Sequence, residues 1–196
     1  MDVKRMEENL KKRGFSCAIF PNREEAVSYL DQKIDGCTVG IGGSMTVKEL
    51  GLFDRLASHN QVAWHMRPDG SIEEANRAEV YISSLNGLAE TGELINIDGV
   101  GNRVSATSYG AKRIYFVVGQ NKLAPDFESA LWRARNIAAP KNAARFGTKT
   151  PCVLHEPRCH DCQSPERICK ELLVLWQKPR PVIEMEIVFI QEDLGY

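Results

Sequence analysis

Apolar positions along this chain switch repeatedly between a helical period and runs of strand length. Val3, Met6 and Leu10 share one helical face, Gly14 ends that run, and Phe15–Phe20 follows as a short buried strand. Asn22 followed by Glu25 is a capping box that opens a helix through about Leu30, and Gly36 breaks the chain before the strand Cys37–Ile41. Thr46 and Glu49 repeat the capping signature. Gly51 interrupts this next helix, which restarts at Phe53 and runs to His59 before a strand at Val62–His65. Ser71 and Glu74 cap a further helix beyond the Pro68–Gly70 turn, and Val80–Ser83 is strand-like. Leu88–Ile97 forms two extended pieces around Thr91–Gly92. Arg113–Val118 is the strongest strand signal, and Phe127–Ala139 is an amphipathic helix that Pro140 kinks or ends.

Strands alternating with helices predict a three-layer, open, mostly parallel α/β sheet, because parallel neighbours need crossover helices. The tail breaks this rhythm. Ile168–Gln177 and Val182–Gln191 read as two extended stretches flanking Lys178-Pro179-Arg180-Pro181, with Ile183, Met185 and Ile187 alternating against Glu184 and Glu186. The expectation is an antiparallel C-terminal hairpin over about 168–191 added to the main sheet, with a helix over Ile168–Gln177 as the alternative. The whole chain, 1–196, is then one domain that includes a cysteine-rich loop at 150–170.

Charge narrows the choice of partners. With 25 basic and 26 acidic residues intermixed, a formal charge of −1 offers no field to attract nucleic acid or a membrane surface. Residues Met1 to Lys12 are charged throughout, and no segment is long and apolar enough to span a bilayer. A cytoplasmic protein without membrane insertion is expected. An assembly of identical copies is compatible with the composition.

Candidate chemistry gathers where strands end in glycine. Gly42-Gly43-Ser44 follows a strand and precedes a capped helix, a setting that offers backbone N–H groups to a phosphate or carboxylate; a tight turn holding nothing is the alternative. Asp98-Gly99-Val100-Gly101-Asn102-Arg103 supplies an acceptor, an amide and a cation, set against a surface turn whose arginine pairs locally. Asn86, Glu90 and Lys122 would approach the same edge of a parallel sheet, where open α/β sheets hold ligands. Glu90 is the candidate base or nucleophile. The ligand expected is a small organic acid or a phosphorylated compound.

Four of the six cysteines are crowded into Cys152-x6-Cys159-x2-Cys162-x6-Cys169. Four thiolates in one loop suit an iron–sulfur cluster or a tetrahedral zinc ion, and redox-active thiols are the alternative. His155 and His160 are read as surface residues. Cys17 and Cys37 lie in apolar runs and are expected to be buried thiols.

Several motifs in one order resemble a known family: Gly42-Gly43-Ser44-Met45-Thr46-Val47-Lys48-Glu49-Leu50-Gly51, Gly92-Glu93-Leu94-Ile95-Asn96-Ile97-Asp98-Gly99-Val100-Gly101-Asn102-Arg103-Val104, Val118-Gly119-Gln120-Asn121-Lys122, Arg135-Asn136-Ile137-Ala138-Ala139-Pro140, and the tail Asp161-Cys162-x-Ser164-Pro165-x-Arg167-Ile168-Cys169. From about residue 5 onward the chain is similar to LUD-domain (lactate utilization, LutC/YkgG-like) proteins. That resemblance implies a fold of the NagB/RpiA/CoA-transferase-like type. It also implies an association with L-lactate oxidation, and so with other lactate-oxidation proteins of the LutABC-type system. LutC-type proteins do not generally carry this cysteine tail, which places the chain nearer a stand-alone branch. Two functions follow as expectations. One is an accessory or redox component in oxidation of lactate or a related small organic acid. The other is a small-molecule enzyme or sensor of the sugar-phosphate isomerase/CoA-transferase superfamily, using Glu90 and the glycine loops beside a structural metal site.

Overall fold

The computed structural model describes residues 1–196. In chain order the elements are α1 (Val3–Lys12), β1 (Ser16–Phe20), α2 (Arg23–Lys33), β2 (Thr38–Ile41), α3 (Met45–Glu49), α4 (Leu52–Leu56), β3 (Gln61–Trp64), α5 (Ile72–Arg77), β4 (Val80–Ser83), β5 (Gly87–Ala89), β6 (Leu94–Asp98), α6 (Asn102–Ser105), β7 (Arg113–Gly119), β8 (Leu123–Ala124), α7 (Phe127–Arg133), α8 (Ala139–Phe146), α9 (Pro151–Leu154), β9 (Glu171–Leu175) and β10 (Glu184–Ile190). Capping side chains fix several helix starts: Asn22 accepts from Glu25 N, Ser71 from Glu74 N and Asp126 from Ser129 N. The cap of α3 is Ser44, which accepts from Val47 N, and not Thr46, whose hydroxyl is buried and donates to Leu194 O.

Six strands form a wholly parallel sheet in the order β1-β10-β7-β4-β2-β3. Side chains alternate across it. Ile114, Phe116 and Val118 of β7 with Met185, Ile187 and Phe189 of β10 enter one core, shared with Met6 and Leu10 of α1 and Ala75 of α5. Tyr115, Val117, Val188 and Ile190 enter the other, under Ala26, Val27 and Leu30 of α2, Val47 of α3 and Leu52 and Leu56 of α4. The expected mostly parallel, layered α/β sheet is therefore present. At Gly40 the backbones of β2 and α5 touch: a Cβ there would lie 1.9 Å from the Ala75 carbonyl oxygen.

A second sheet, β8-β5-β6-β9, lies over the first core, to which it contributes Leu88, Leu94, Leu123 and Leu175. Its outer side packs Ala89, Ile95 and Ile97 against Ala130, Ala134 and Ala139 of the long helical segment from Phe127 to Phe146. Pro140 does not end that segment. Its ring removes one N–H from the ladder, and the preceding turn, Ala134–Ala138, widens to π-helical hydrogen bonding before α8 resumes.

The expected C-terminal hairpin does not form. β9 runs antiparallel to β6 in the second sheet, whereas β10 enters the main sheet between β1 and β7, parallel to both. The two glutamates that suggested a wet face are instead paired. Glu186 is buried and accepts from Tyr29 and from Lys33 Nζ at 2.9 Å, and Glu184 meets Lys33 Nζ at 2.8 Å and the Tyr115 hydroxyl at 3.0 Å. Ile183, thought to share a face with Met185 and Ile187, lies outside the strand and is 71% exposed. Ile187→Ala is expected to cost about 2–5 kcal/mol, measured by urea denaturation, because it opens a cavity in a central strand. Ile183→Ala should stay within about 0.5 kcal/mol, as exposed substitutions do.

Candidate functional site

The carboxyl ends of the main-sheet strands and the end of β6 enclose a cleft of about 780 Å³, within the range of small-molecule sites. Gly43 follows β2, His65 follows β3, Asn86 follows β4, and Asp98 closes β6; Asn102 and Arg103 open α6. Arg145 comes from α8, and Arg167, Ile168, Cys169 and Lys170 come from the cysteine-rich loop. A smaller cavity adjoins it through Gly43, Asn86, Arg103, Asn142 and Arg145, and adds Ser44, Thr46, Ser84 and Lys122. Gly42 sits beneath, where a Cβ would crowd the Tyr81 hydroxyl at 2.9 Å and Arg103 Cγ at 3.0 Å.

Asp98 organises the glycine loop that carries its own partner. Its Oδ1 accepts from Gly99 N at 2.8 Å, and its Oδ2 accepts from Arg103 N at 2.9 Å and Val104 N at 3.3 Å. The Arg103 guanidinium donates to the Ile97 carbonyl at 2.6 Å and to Asp98 Oδ1 at 3.3 Å. Burial alone would raise the Asp98 carboxyl, but Arg103 and the N–H groups of Gly99 and Arg103 outweigh it and hold it below the usual carboxylate range. This pair is structural as well as chemical, since losing either partner leaves a charge stranded in the wall.

Beside it, three buried polar atoms have no partner within the protein: the Tyr81 hydroxyl, His65 Nδ1 and Asn102 Nδ2. Burial and the nearby Arg103 lower the His65 pKa, keeping the ring neutral. Burial raises that of Tyr81, keeping the hydroxyl protonated.

Lys122 is the most enclosed cation. It lies in a 3₁₀ turn after β7, is 4% exposed, and donates to Thr46 Oγ1 at 2.7 Å and Ser84 Oγ at 2.9 Å. It forms no ion pair. Burial, reinforced by Arg133 and Arg103 and opposed by Glu49, lowers its pKa to about 7.

Glu90 is not brought to the cleft. It is buried in the β5–β6 turn, where it accepts from Asp2 N at 2.9 Å and pairs with Arg5 at 3.5 Å, fastening the start of α1. His65, Tyr81, Asn142, Arg145, Arg167 and Lys170 were not singled out from the sequence. The rule that ligands meet strand ends reaches His65, which directly follows β3; nothing local marks Arg145, one basic residue on an amphipathic helix.

All four clustered cysteines line one further small cavity, between their loop and Arg135, Ala139, Pro140 and Ala143 of the long helical segment. None is disulfide-bonded. Cys159 Sγ accepts from Asp161 N and from Arg135 Nη2, each at 3.4 Å, and Thr150 Oγ1 lies 3.2 Å from Cys152 Sγ. Arg167 ties the loop together by donating to the carbonyls of Cys162 and Cys169 at 2.7 and 2.8 Å. No three His, Cys, Asp or Glu side chains are placed to hold a single metal ion. No helix is long and apolar enough to cross a membrane.

The molecule is thus an open, mostly parallel α/β protein with a polar cleft at its strand ends. The LUD domain family matches residues 3–190, and the chain belongs to that family, making it a lactate-utilization-type protein at the family level. No curated protein matches the chain. Among solved structures it is similar to a DUF162 family protein from Deinococcus radiodurans, with 12% identity, a TM-score of 0.53, and coverage of 96% of this chain and 95% of that one, a likeness of fold. A ribose 5-phosphate isomerase from Plasmodium falciparum overlaps 53% of this chain and 52% of its own, at 15% identity and a TM-score of 0.37.

The depressed lysine gives a pH test. Lys122 loses its proton near pH 7 when folded but near 10.5 when unfolded, so between these values the unfolded state binds more protons and stability rises with pH. The penalty for burying the charge is complete below pH 7. Relative to Lys122→Met, the wild-type protein should therefore gain stability between pH 6 and pH 9, read as diverging urea midpoints.

Proposed function

We propose that this protein binds a small organic acid, lactate or a close relative, in the strand-end cleft, and acts as an accessory or redox component in its oxidation. What carries this reading is an imbalance of charge. Arg103, Arg145, Arg167, Lys170 and, in the adjoining cavity, Lys122 face two acids. Both acids are already engaged: Asp98 holds its own loop and Arg103, and Glu166 accepts from Lys149 N at 2.7 Å. Arg145 and Lys170 have no carboxylate partner within 4.0 Å, so a ligand carboxylate would supply the missing anion. The unpartnered atoms of His65 and Asn102 add hydrogen-bonding groups suited to the hydroxyl or keto oxygen beside such a carboxylate. Binding of an anion against Lys122 would return its proton, so affinity should weaken as pH rises above 7.

The buried amine of Lys122 favours a second reading, a sugar-phosphate isomerase or CoA-transferase type enzyme or sensor in which the cysteines hold a structural metal. A lysine that titrates near neutrality is suited to proton transfer or nucleophilic attack. On this reading Lys122 takes the role first given to Glu90, and the ligand is phosphorylated or CoA-linked.

Titration calorimetry with L-lactate and pyruvate separates the two from each other and from no binding. Arg145→Ala should weaken the bound acid by about tenfold to a hundredfold, the loss of a charge-assisted contact, while the melting temperature stays unchanged. Equal affinity in the variant would remove Arg145 from the site. Binding of a sugar phosphate with neither small acid retained would favour the second reading.

A further inference from the structure

We propose that Cys152, Cys159, Cys162 and Cys169 ligate an iron–sulfur cluster that forms a wall of the strand-end cleft. The first observation is convergence: thiols up to seventeen positions apart (169 − 152) all line one cavity and are left as free thiols. The second is the donor set: four cysteines lining one cavity are the full ligand complement of an iron–sulfur cluster.

The surroundings suit the charge of such a group. Four thiolates and a cluster carry net negative charge, and Arg135 and Arg167 both line the cavity. Cys159 Sγ already accepts an amide and a guanidinium hydrogen bond, the kind of donor that tunes a cluster's potential. Ala139, Ala143 and Ile168 give an apolar side that shields it from water. The Cys159–Cys162 turn is held in a conformation that is uncommon without a reason: Asp161, at φ 45°, is the one non-glycine residue with positive φ.

Placement gives the cluster its use. Arg167, Ile168 and Cys169 line both this cavity and the larger cleft, so the two spaces share a wall that includes one of the proposed ligand cysteines. The cluster does not depend on which acid the cleft takes. Iron analysis tests this inference, and calorimetry tests the small-acid reading separately.

The experiment uses the full chain purified without oxygen and, in parallel, reconstituted with ferric iron, sulfide and a thiol reductant. Iron and acid-labile sulfide in equal amounts, about two or four of each per chain, with a broad visible band that dithionite bleaches, is the expected result. Cys162→Ser and Cys169→Ser should each lose at least half of that iron, while Cys37→Ser should keep it. Should the serine variants fail to fold, the metal content and Mössbauer spectrum of the wild-type protein still decide the matter. A colourless protein with one tightly held zinc per chain would overturn the proposal, as would four thiols that react freely with a thiol reagent after reconstitution.

Discussion

The insertion of β10 between β1 and β7 is the constraint on which the rest of the molecule depends. Residues Glu186–Ile190 pair with Ser16–Phe20 on one side, and Glu184–Ile190 with Arg113–Gly119 on the other. Without this strand β1 has no neighbour, and both hydrophobic cores lose their centre. A parallel strand cannot be supplied by a tight turn from an adjacent one, so it must arrive after a long connection. Here the connection from β7 runs through β8, the long helical segment, the cysteine-rich loop and β9. Sheet closure therefore fixes the start and end of the very segments that build the cleft.

The cleft inherits its character from this arrangement. Asp98 leaves the second sheet, not the main one, so the glycine loop it anchors approaches the ends of β2, β3 and β4 from above. Gly42 and Gly43 permit the approach because side chains there would meet Tyr81, Arg103 and His65. α3 is only five residues long and Ser44 already takes Val47 N, so the positive character of the site comes from guanidinium and ammonium groups. A buried cation without an acid partner, such as Lys122, is costly to keep. Its retention beside an excess of arginine is understandable if a bound anion shares the cavity.

The cysteine-rich loop is braced from several sides, although Glu156–Lys170 contains no helix or strand. Arg167 spans it through two carbonyls and pairs with Asp161, while Asn136 Oδ1 accepts from Cys159 N. The Lys170 N–H donates to the Asp98 carbonyl, which joins this loop directly to the glycine loop of the cleft. Two chemistries distant in sequence thus share one wall.

By itself the sequence determined the layered α/β class, the helix starts at Asn22 and Ser71, the β5–β6 turn at Gly92 and most of the strands, because these follow from local periodicity and from caps satisfied within four residues. It also pointed to Asp98, Asn102, Arg103 and Lys122, since strand ends can be found once the strands are. Only the tertiary structure decided where β9 and β10 pair, for alternation reports that a strand is half apolar and not which strands flank it. Glu184 and Glu186 looked solvent-facing until Lys33, Tyr29 and Tyr115 closed over them. Glu90 has the chemistry of a base, but its environment, the first turn of α1, is set by packing between residues more than eighty positions apart. The contributions of Arg145, Arg167 and Lys170 to the cleft were hidden for the same reason: electrostatic partnership depends on distance in space, which the chain fixes only when β10 locks the sheet.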